Sequence, residues 1–176
     1  MYEDKREPQL GGQAGYHTAF FSDIQSFSSF SEILEPEKMV SLMNEYLTEM
    51  TTILLEHKGT LDKYIGDAIV AFYGAPIQID DHEYLACRTA LSMNEKLYEL
   101  RQKWKSEGEQ WPDIVHNMQH RIGINAGNIV VGNMGSEMKL NYTMTGDQVN
   151  LTARLESSAK QLGITIQVGE NIYNIV

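Results

Sequence analysis

Cysteine, positive charge and long apolar runs are all scarce in this sequence. Cys87 is the single cysteine, so no internal disulfide can form. Lys and Arg number 14 against 24 Asp and Glu, and the net charge of −10 argues against a nucleic-acid partner, which requires a basic face. No apolar run approaches the roughly 18–20 residues of a membrane span, and residues 1–9 are charged, unlike a signal peptide. We therefore expect a cytoplasmic domain, with a membrane anchor elsewhere in the full-length protein left open.

The 176 residues that are present suit one globular domain with an ordinary core, since 42% are apolar and 22% charged. Residues 1–15 are polar and contain Pro8 and Gly11-Gly12, which indicates a linker from an upstream region. The periodicity of apolar residues predicts helices over 25–34, 36–58, 80–106 and 147–161. It predicts strands over 17–22, 118–126, 129–131, 140–144 and 164–168, and a hairpin over 60–73. We also expect a turn at 127–128 and a loop over 108–115. This order predicts an α+β fold, with an antiparallel-dominated sheet, helices and a ferredoxin-like βαββαβ core.

Two aspartates follow predicted strands at separate points of the chain. Asp67 belongs to a Gly66-Asp67 hairpin turn, and Asp23 follows the first strand. If the two strands are antiparallel neighbours, these carboxylates lie side by side and repel each other unless a cation lies between them. Mg²⁺ is commonly held by one or two carboxylates and substrate phosphates. The alternatives are a turn role for Asp67 and helix capping by Asp23.

Two further groups of residues suit a phosphorylated ligand. Ser26 and Ser28 stand at a predicted helix start, where exposed N–H groups attract phosphate, although simple capping explains serine equally well. Asn150 and Arg154 are four residues apart on a predicted helix and share a face. Arginine suits phosphate because it is always charged, but a surface ion pair of Arg154 with Glu156 or Asp147 is the alternative.

Four blocks of sequence together resemble the catalytic domain of class III nucleotide cyclases, the adenylate and guanylate cyclases. The match runs from about Leu10 to the end of the chain, and we take residues 16–176 as the catalytic domain. The blocks are FSDIQSFS (21–28), DKYIGDA (62–68), GINAG (123–127) and YTMTGDQVNLTARLE (142–156). Each block alone is weak, but four in this order and spacing are specific.

The resemblance implies an ATP-binding homodimer with active sites at the subunit interface. It implies two Mg²⁺ or Mn²⁺ ions per site, held by Asp23, Asp67 and the carbonyl of Ile24. It also implies β- and γ-phosphate binding by the backbone of the following turn, which consists of Gln25, Ser26, Phe27 and Ser28. From the partner subunit it implies a base pocket at Lys63 and Thr143, and catalytic residues at Asn150 and Arg154.

The two base-pocket positions favour adenine. Lys63 only donates hydrogen bonds, whereas Thr143 donates or accepts them. Adenine offers an acceptor at N1 and donors at N6, while guanine would want an acidic side chain that neither position supplies. The expected function is therefore adenylate cyclase, a lyase that forms 3′,5′-cyclic AMP in intracellular signal transduction. Thr at position 143 resembles the base pocket of the soluble-type adenylate cyclase subclass. A guanylate cyclase and a non-catalytic dimerising nucleotide-binding module are the alternatives.

The sequence departs from the family pattern at two places. Ser26 replaces the usual Gly, which we expect to stiffen the phosphate turn, whereas Ser28 replaces the usual Thr and keeps its hydroxyl. The family also has a final hairpin with a triphosphate-binding lysine, and this sequence stops at Val176 before that element. We therefore expect a C-terminally incomplete catalytic region of a larger signalling protein, with an upstream regulatory domain and low activity as it stands.

Overall fold

The computed structural model describes residues 10 to 176. This part of the chain contains the following elements: β1 (Gly11–Ile24), α1 (Phe27–Ile33), α2 (Pro36–Glu56), β2 (Thr60–Ile65), β3 (Ala68–Tyr73), α3 (His82–Ser106), a 3₁₀ turn (Gly108–Gln110), α4 (Asp113–His116), β4 (His120–Ser136), β5 (Lys139–Thr145), α5 (Asp147–Leu162), β6 (Ile166–Val168) and α6 (Glu170–Tyr173). None of these helices is both long and apolar enough to cross a bilayer.

One sheet contains all the described strands. Its first four strands lie in the order β2-β3-β1-β4, each antiparallel to its neighbour, which is the arrangement of a ferredoxin-like βαββαβ core. The other edge of the long β4 is shared, because β5 pairs with residues 130–136 and β6 runs parallel to residues 122–124. The predicted fold class is therefore confirmed.

Helices cover both faces of the sheet. Successive strand residues face opposite sides, so each strand contributes to two layers. On one side, buried residues of α1, α2 and α3 pack with Phe20, Ile24 and Ile122. The other side carries a smaller cluster that includes Ala19, Phe72 and Ile129, with Val149 of α5 packed against it.

The first strand begins earlier than predicted. Residues 11–15 lie in β1 rather than in a linker, because they pair with β4 from Gly11 opposite Asn133 onward. This glycine-rich stretch lacks the apolar alternation of a strand, and its backbone hydrogen bonds to β4 hold it extended instead. Residues 1–9 of the predicted linker lie outside the described residues.

The predicted turn at Gly127-Asn128 was wrong. β4 runs straight through both residues, and Gly127 pairs with His17 of β1. Close packing rather than a turn requires glycine at position 127, since a Cβ there would lie 2.7 Å from Cγ of Gln148. The predicted loop over 108–115 was also wrong in part, because it contains the 3₁₀ turn and the start of α4.

Candidate active site

Asp23 and Asp67 meet at the edge where β1 ends and β3 begins. β1 and β3 pair with Ser22 opposite Ile69, so the next residue of β1 lies beside the hairpin turn that precedes β3. Gly66 in that turn has a φ of +61°, a left-handed conformation that favours glycine. Oδ2 of Asp67 accepts a hydrogen bond from the backbone N–H of Ile24 at 2.9 Å. The convergence of the two acids, predicted from the sequence, is confirmed.

The electrostatics of the pair favour a cation. Burial, a hydrogen bond shared with Asp23 and the charge of Asp23 together raise the pKa of Asp67 from 3.8 to about 7. A positive ion between the two carboxylates would relieve both effects. The described residues contain no cluster of three or more His, Cys, Asp or Glu side chains suited to a metal. An ion here would therefore complete its coordination with backbone, water or ligand oxygens, as Mg²⁺ does in phosphate sites.

Arg121 and Glu156 extend this acidic site, and the sequence alone did not reveal them. Nη2 of Arg121 lies 3.7 Å from Oδ2 of Asp23, and its Nε donates to Oε1 of Glu156 at 3.1 Å. The pKa of Glu156 is raised by burial and by the charge of Asp23, an effect that Arg121 partly offsets. Only the strand register, in which Asp23 pairs with Arg121, points to this contact.

The predicted phosphate turn connects β1 to α1. Among residues 10–176, no acceptor is paired with the backbone N–H groups of Ser26, Phe27 and Ser28, so all three remain available to a ligand. Gln25 differs from expectation, because its N–H donates to the carbonyl of Gln119 at 2.8 Å. Ser26 has a φ of 55° and a ψ of 36°, so a serine adopts the left-handed conformation here.

Lys63 and Thr143 come together around a third residue, Asp62. Nζ of Lys63 lies 3.5 Å from Oδ1 of Asp62, and the Thr143 hydroxyl donates to Oδ2 of Asp62 at 2.5 Å. β2 and β5 stand at opposite ends of the strand order β2-β3-β1-β4-β5, so this contact requires a strongly curved sheet. The sequence analysis named Lys63 and Thr143 as base-pocket candidates but did not identify the acid that contacts both of them.

Asn150 and Arg154 lie exposed on the outer face of α5. Within the described chain, no hydrogen bond or ion pair ties either side chain to another residue, so neither alternative pairing of Arg154 with Glu156 or Asp147 is present. Within residues 10–176, no hydrogen bond or ion pair joins either residue to Asp23 or Asp67.

The GINAG segment explains how α5 is held in this orientation. Gly123 allows the helix to approach closely, because a Cβ there would lie 2.5 Å from the backbone nitrogen of Glu156. Nδ2 of Asn125 donates to the side-chain oxygen of Gln148 at 2.7 Å and to its carbonyl at 3.2 Å. The inner face of α5 is thus fixed on β4, and its opposite face with Asn150 and Arg154 is directed away from the sheet.

Comparison with known proteins points to one family. A family model described as the adenylate and guanylate cyclase catalytic domain matches residues 13–176. Adenylate cyclase 1 of Rhizobium meliloti (strain 1021) is 33% identical over 160 residues, 89% of this chain and 23% of the relative. The adenylate cyclase of Anabaena cylindrica is 31% identical over 155 residues, 88% of this chain and 30% of the relative. The chain therefore spans less than a third of these curated relatives.

Solved structures of both nucleotide specificities resemble this one. The adenylyl cyclase CyaB from P. aeruginosa has a TM-score of 0.83 and 35% identity, covering 94% of this chain and 82% of that chain. The guanylyl cyclase Cya2 has a TM-score of 0.81 and 34% identity, covering 94% of this chain and 80% of that chain. Overall similarity therefore does not distinguish the two purines.

Proposed function

Because this chain belongs to the family of adenylate and guanylate cyclase catalytic domains, we propose that it converts ATP to 3′,5′-cyclic AMP and pyrophosphate. The observation that carries the proposal is the meeting of Asp23 and Asp67 beside a turn with free backbone N–H groups. A paired-carboxylate site next to a phosphate-binding turn suits a metal–triphosphate ligand. The 3′-oxygen of the ribose attacks the α-phosphorus in line, and pyrophosphate leaves.

Asp23, Asp67 and the carbonyl of Ile24 would hold two Mg²⁺ or Mn²⁺ ions per site. The raised pKa of Asp67 and the close approach of Asp23 support this assignment, because two adjacent carboxylates repel each other and, of these two, only Asp23 pairs with Arg121 in the described chain. When bound, such ions lower the pKa of the ribose 3′-hydroxyl and neutralise the triphosphate. Ser26, Phe27 and Ser28 bind the β- and γ-phosphates through their N–H groups, whereas Gln25 contributes no backbone donor.

A homodimer completes each site. Asn150 and Arg154 are exposed and separate from the acids of their own protomer, so they act in the site of the partner subunit. There Asn150 orients the ribose, and Arg154 stabilises the charge that grows on the α-phosphate. Exposed apolar side chains lie near both groups of site residues and support this interface. They are Tyr64 and Ile65 at the hairpin tip and Leu151 next to Asn150 on α5. Two-fold symmetry then gives two equivalent sites.

Adenine is the preferred base. Lys63 donates to N1, and Thr143 accepts from the N6 amino group, which matches adenine and not guanine. The relatives include a guanylyl cyclase, so the preference depends on these pocket residues rather than on overall similarity. We place the reaction in the cytoplasm, under the control of a regulatory domain elsewhere in the full-length protein.

The first test is the replacement Asp67→Ala with a matched control, Asp113→Ala, at a fully exposed carboxylate. We expect Asp67→Ala to abolish cyclic AMP formation from ATP and Mn²⁺ while the circular dichroism spectrum stays unchanged. Asp113→Ala should retain wild-type activity. Cyclase activity in a folded Asp67→Ala protein would count against the metal role.

The second test addresses the shared site. Chains carrying Asp67→Ala are mixed with chains carrying Asn150→Ala, each of them inactive alone. When equal amounts associate at random, half of the dimers contain one chain of each kind, and each of these heterodimers has one intact site of two. About a quarter of wild-type activity should therefore return. Absence of any recovery, with dimers verified by light scattering, would contradict a site built from both subunits.

A further inference from the structure

Asp62 occupies an irregular position in β2. Leu61 pairs with Ala71 and Lys63 with Val70, so Asp62 is the extra residue of a β-bulge. A bulge interrupts the alternation of a strand and redirects a side chain. The Asp62 side chain is only 2% exposed, and Thr143 and Lys63 are its two polar partners within the described residues. Its burial makes these two contacts energetically important, because a buried carboxylate requires compensating partners.

The chemistry of this contact determines where the Thr143 proton lies. The Thr143 hydroxyl donates a hydrogen bond to Oδ2 of Asp62, because carboxylate oxygens act as acceptors. The hydroxyl oxygen is then left as an acceptor for any ligand. Lys63 contacts Oδ1 of Asp62, but its side chain is 47% exposed and keeps further N–H donors free. The two residues together offer one acceptor and one donor.

This pattern matches one purine and opposes the other. Adenine has a donor at N6 and an acceptor at N1, the complement of an acceptor on Thr143 and a donor on Lys63. Guanine has an acceptor at O6 and a donor at N1, so both of its groups would face groups of the same kind. A threonine free to rotate would satisfy either base, because a hydroxyl donates or accepts.

We propose that Asp62 is a positioning residue that makes the pocket selective for adenine by fixing the direction of the Thr143 hydroxyl. This inference rests on the proposed cyclase function and concerns its substrate preference. Asp62 does not contact the base itself, because its side chain is buried and both carboxylate oxygens are engaged. Its effect on the choice of base therefore passes through Thr143.

The test is Asp62→Asn in the purified protein, with kcat/KM measured for ATP and for GTP in the presence of Mn²⁺. In this variant the amide oxygen replaces Oδ1 of Asp62 as the partner of Lys63, and the amide N–H₂ faces Thr143. The hydroxyl accepts from that amide and turns its proton toward the base. We expect the ratio of GTP to ATP kcat/KM to rise at least about tenfold. Asp113→Asn, at an exposed carboxylate, should leave the ratio unchanged.

A double variant separates positioning from general damage. Thr143→Val removes the hydroxyl through which Asp62 is proposed to act. The double variant Asp62→Asn/Thr143→Val should therefore have the same ratio of GTP to ATP kcat/KM as Thr143→Val alone. Equal losses with ATP and GTP in Asp62→Asn, or an additive change of ratio in the double variant, would overturn the inference. If Asp62→Asn does not fold, Asp62→Ala replaces it, since alanine also frees the hydroxyl.

Affinities measured by displacement of a fluorescent nucleotide distinguish this inference from the proposed function. A wild-type protein that prefers ATP, with an unchanged ratio in a folded Asp62→Asn variant, refutes only the role of Asp62. A wild-type protein that prefers GTP refutes the role of Asp62 and leaves a nucleotide cyclase. A wild-type protein that neither binds nor converts either nucleotide refutes the proposed function itself.

Discussion

Replacing Asp67 by Asn is expected to stabilise the metal-free protein while it abolishes the reaction. The carboxylate of Asp67 is half-buried beside Asp23, and its pKa is raised from 3.8 to about 7. Ionisation of this group therefore opposes folding. Asn has the same shape, keeps an oxygen that accepts from the Ile24 N–H, and carries no charge. The same substitution removes one of the two proposed metal-binding carboxylates.

The magnitude follows from the change in pKa. The rise in the pKa of Asp67 from 3.8 to about 7 corresponds to roughly 4 kcal/mol, since a tenfold change in an acid dissociation constant equals about 1.36 kcal/mol. Solvent screening of a half-buried group reduces this value, and we expect roughly 1–2 kcal/mol in the free energy of unfolding at pH 8. For a domain of this size, the midpoint of thermal unfolding should rise by about 3–6 °C.

The pH dependence has a definite sign. Above pH 7, Asp67 is ionised in both the folded and the unfolded state, so the full penalty on the wild type is present. As the pH falls from 7 to 3.8, the folded state binds a proton before the unfolded state does, and the penalty shrinks. The stability gain of Asp67→Asn should therefore be largest above pH 7 and vanish below about pH 4.

Thermal unfolding with EDTA at pH 8 and at pH 5 measures this effect. Asp113→Asn is the control, because its exposed carboxylate should change the unfolding free energy by less than about 0.5 kcal/mol. Addition of Mn²⁺ and a non-hydrolysable ATP analogue should stabilise the wild type and leave Asp67→Asn unchanged. An Asp67→Asn protein less stable than the wild type at pH 8, or one stabilised equally by the metal nucleotide, would refute the reasoning.

Three further predictions concern the surroundings of the site. Ser26→Gly should raise the unfolding free energy by about 0.5–1 kcal/mol, because glycine adopts the left-handed conformation without strain; lower stability in urea would contradict this. Gly123→Ala should lower the free energy of unfolding by about 2 kcal/mol and reduce cyclase activity, because its Cβ would push α5 away from β4. Unchanged stability and activity would contradict this prediction. Burial lowers the pKa of His120 to about 3, so from pH 6.5 toward 3 the wild type should lose about 1.4 kcal/mol per pH unit relative to His120→Asn, and parallel urea-unfolding profiles would disprove this.

Local patterns in the sequence were sufficient for much of the fold and part of the site. The hairpin around Gly66-Asp67, the four main helices and the α+β class follow from apolar periodicity and turn residues, which are properties of neighbouring positions. The meeting of Asp23 and Asp67 also followed, because each acid ends or begins a strand and one assumption about strand pairing joins them.

The remaining features depended on contacts between distant segments. Extended pairing of residues 11–15 with β4, and the straight passage of β4 through Gly127, rest on backbone hydrogen bonds that leave no mark in side-chain periodicity. The bulge at Asp62 is defined only by its partner strand β3, and its contact with Thr143 requires a curved sheet. The sequence by itself thus determined which chemical groups are available and on which elements they lie. Tertiary structure alone decided which of them touch, because strand register and sheet curvature belong to pairs of segments and not to either segment.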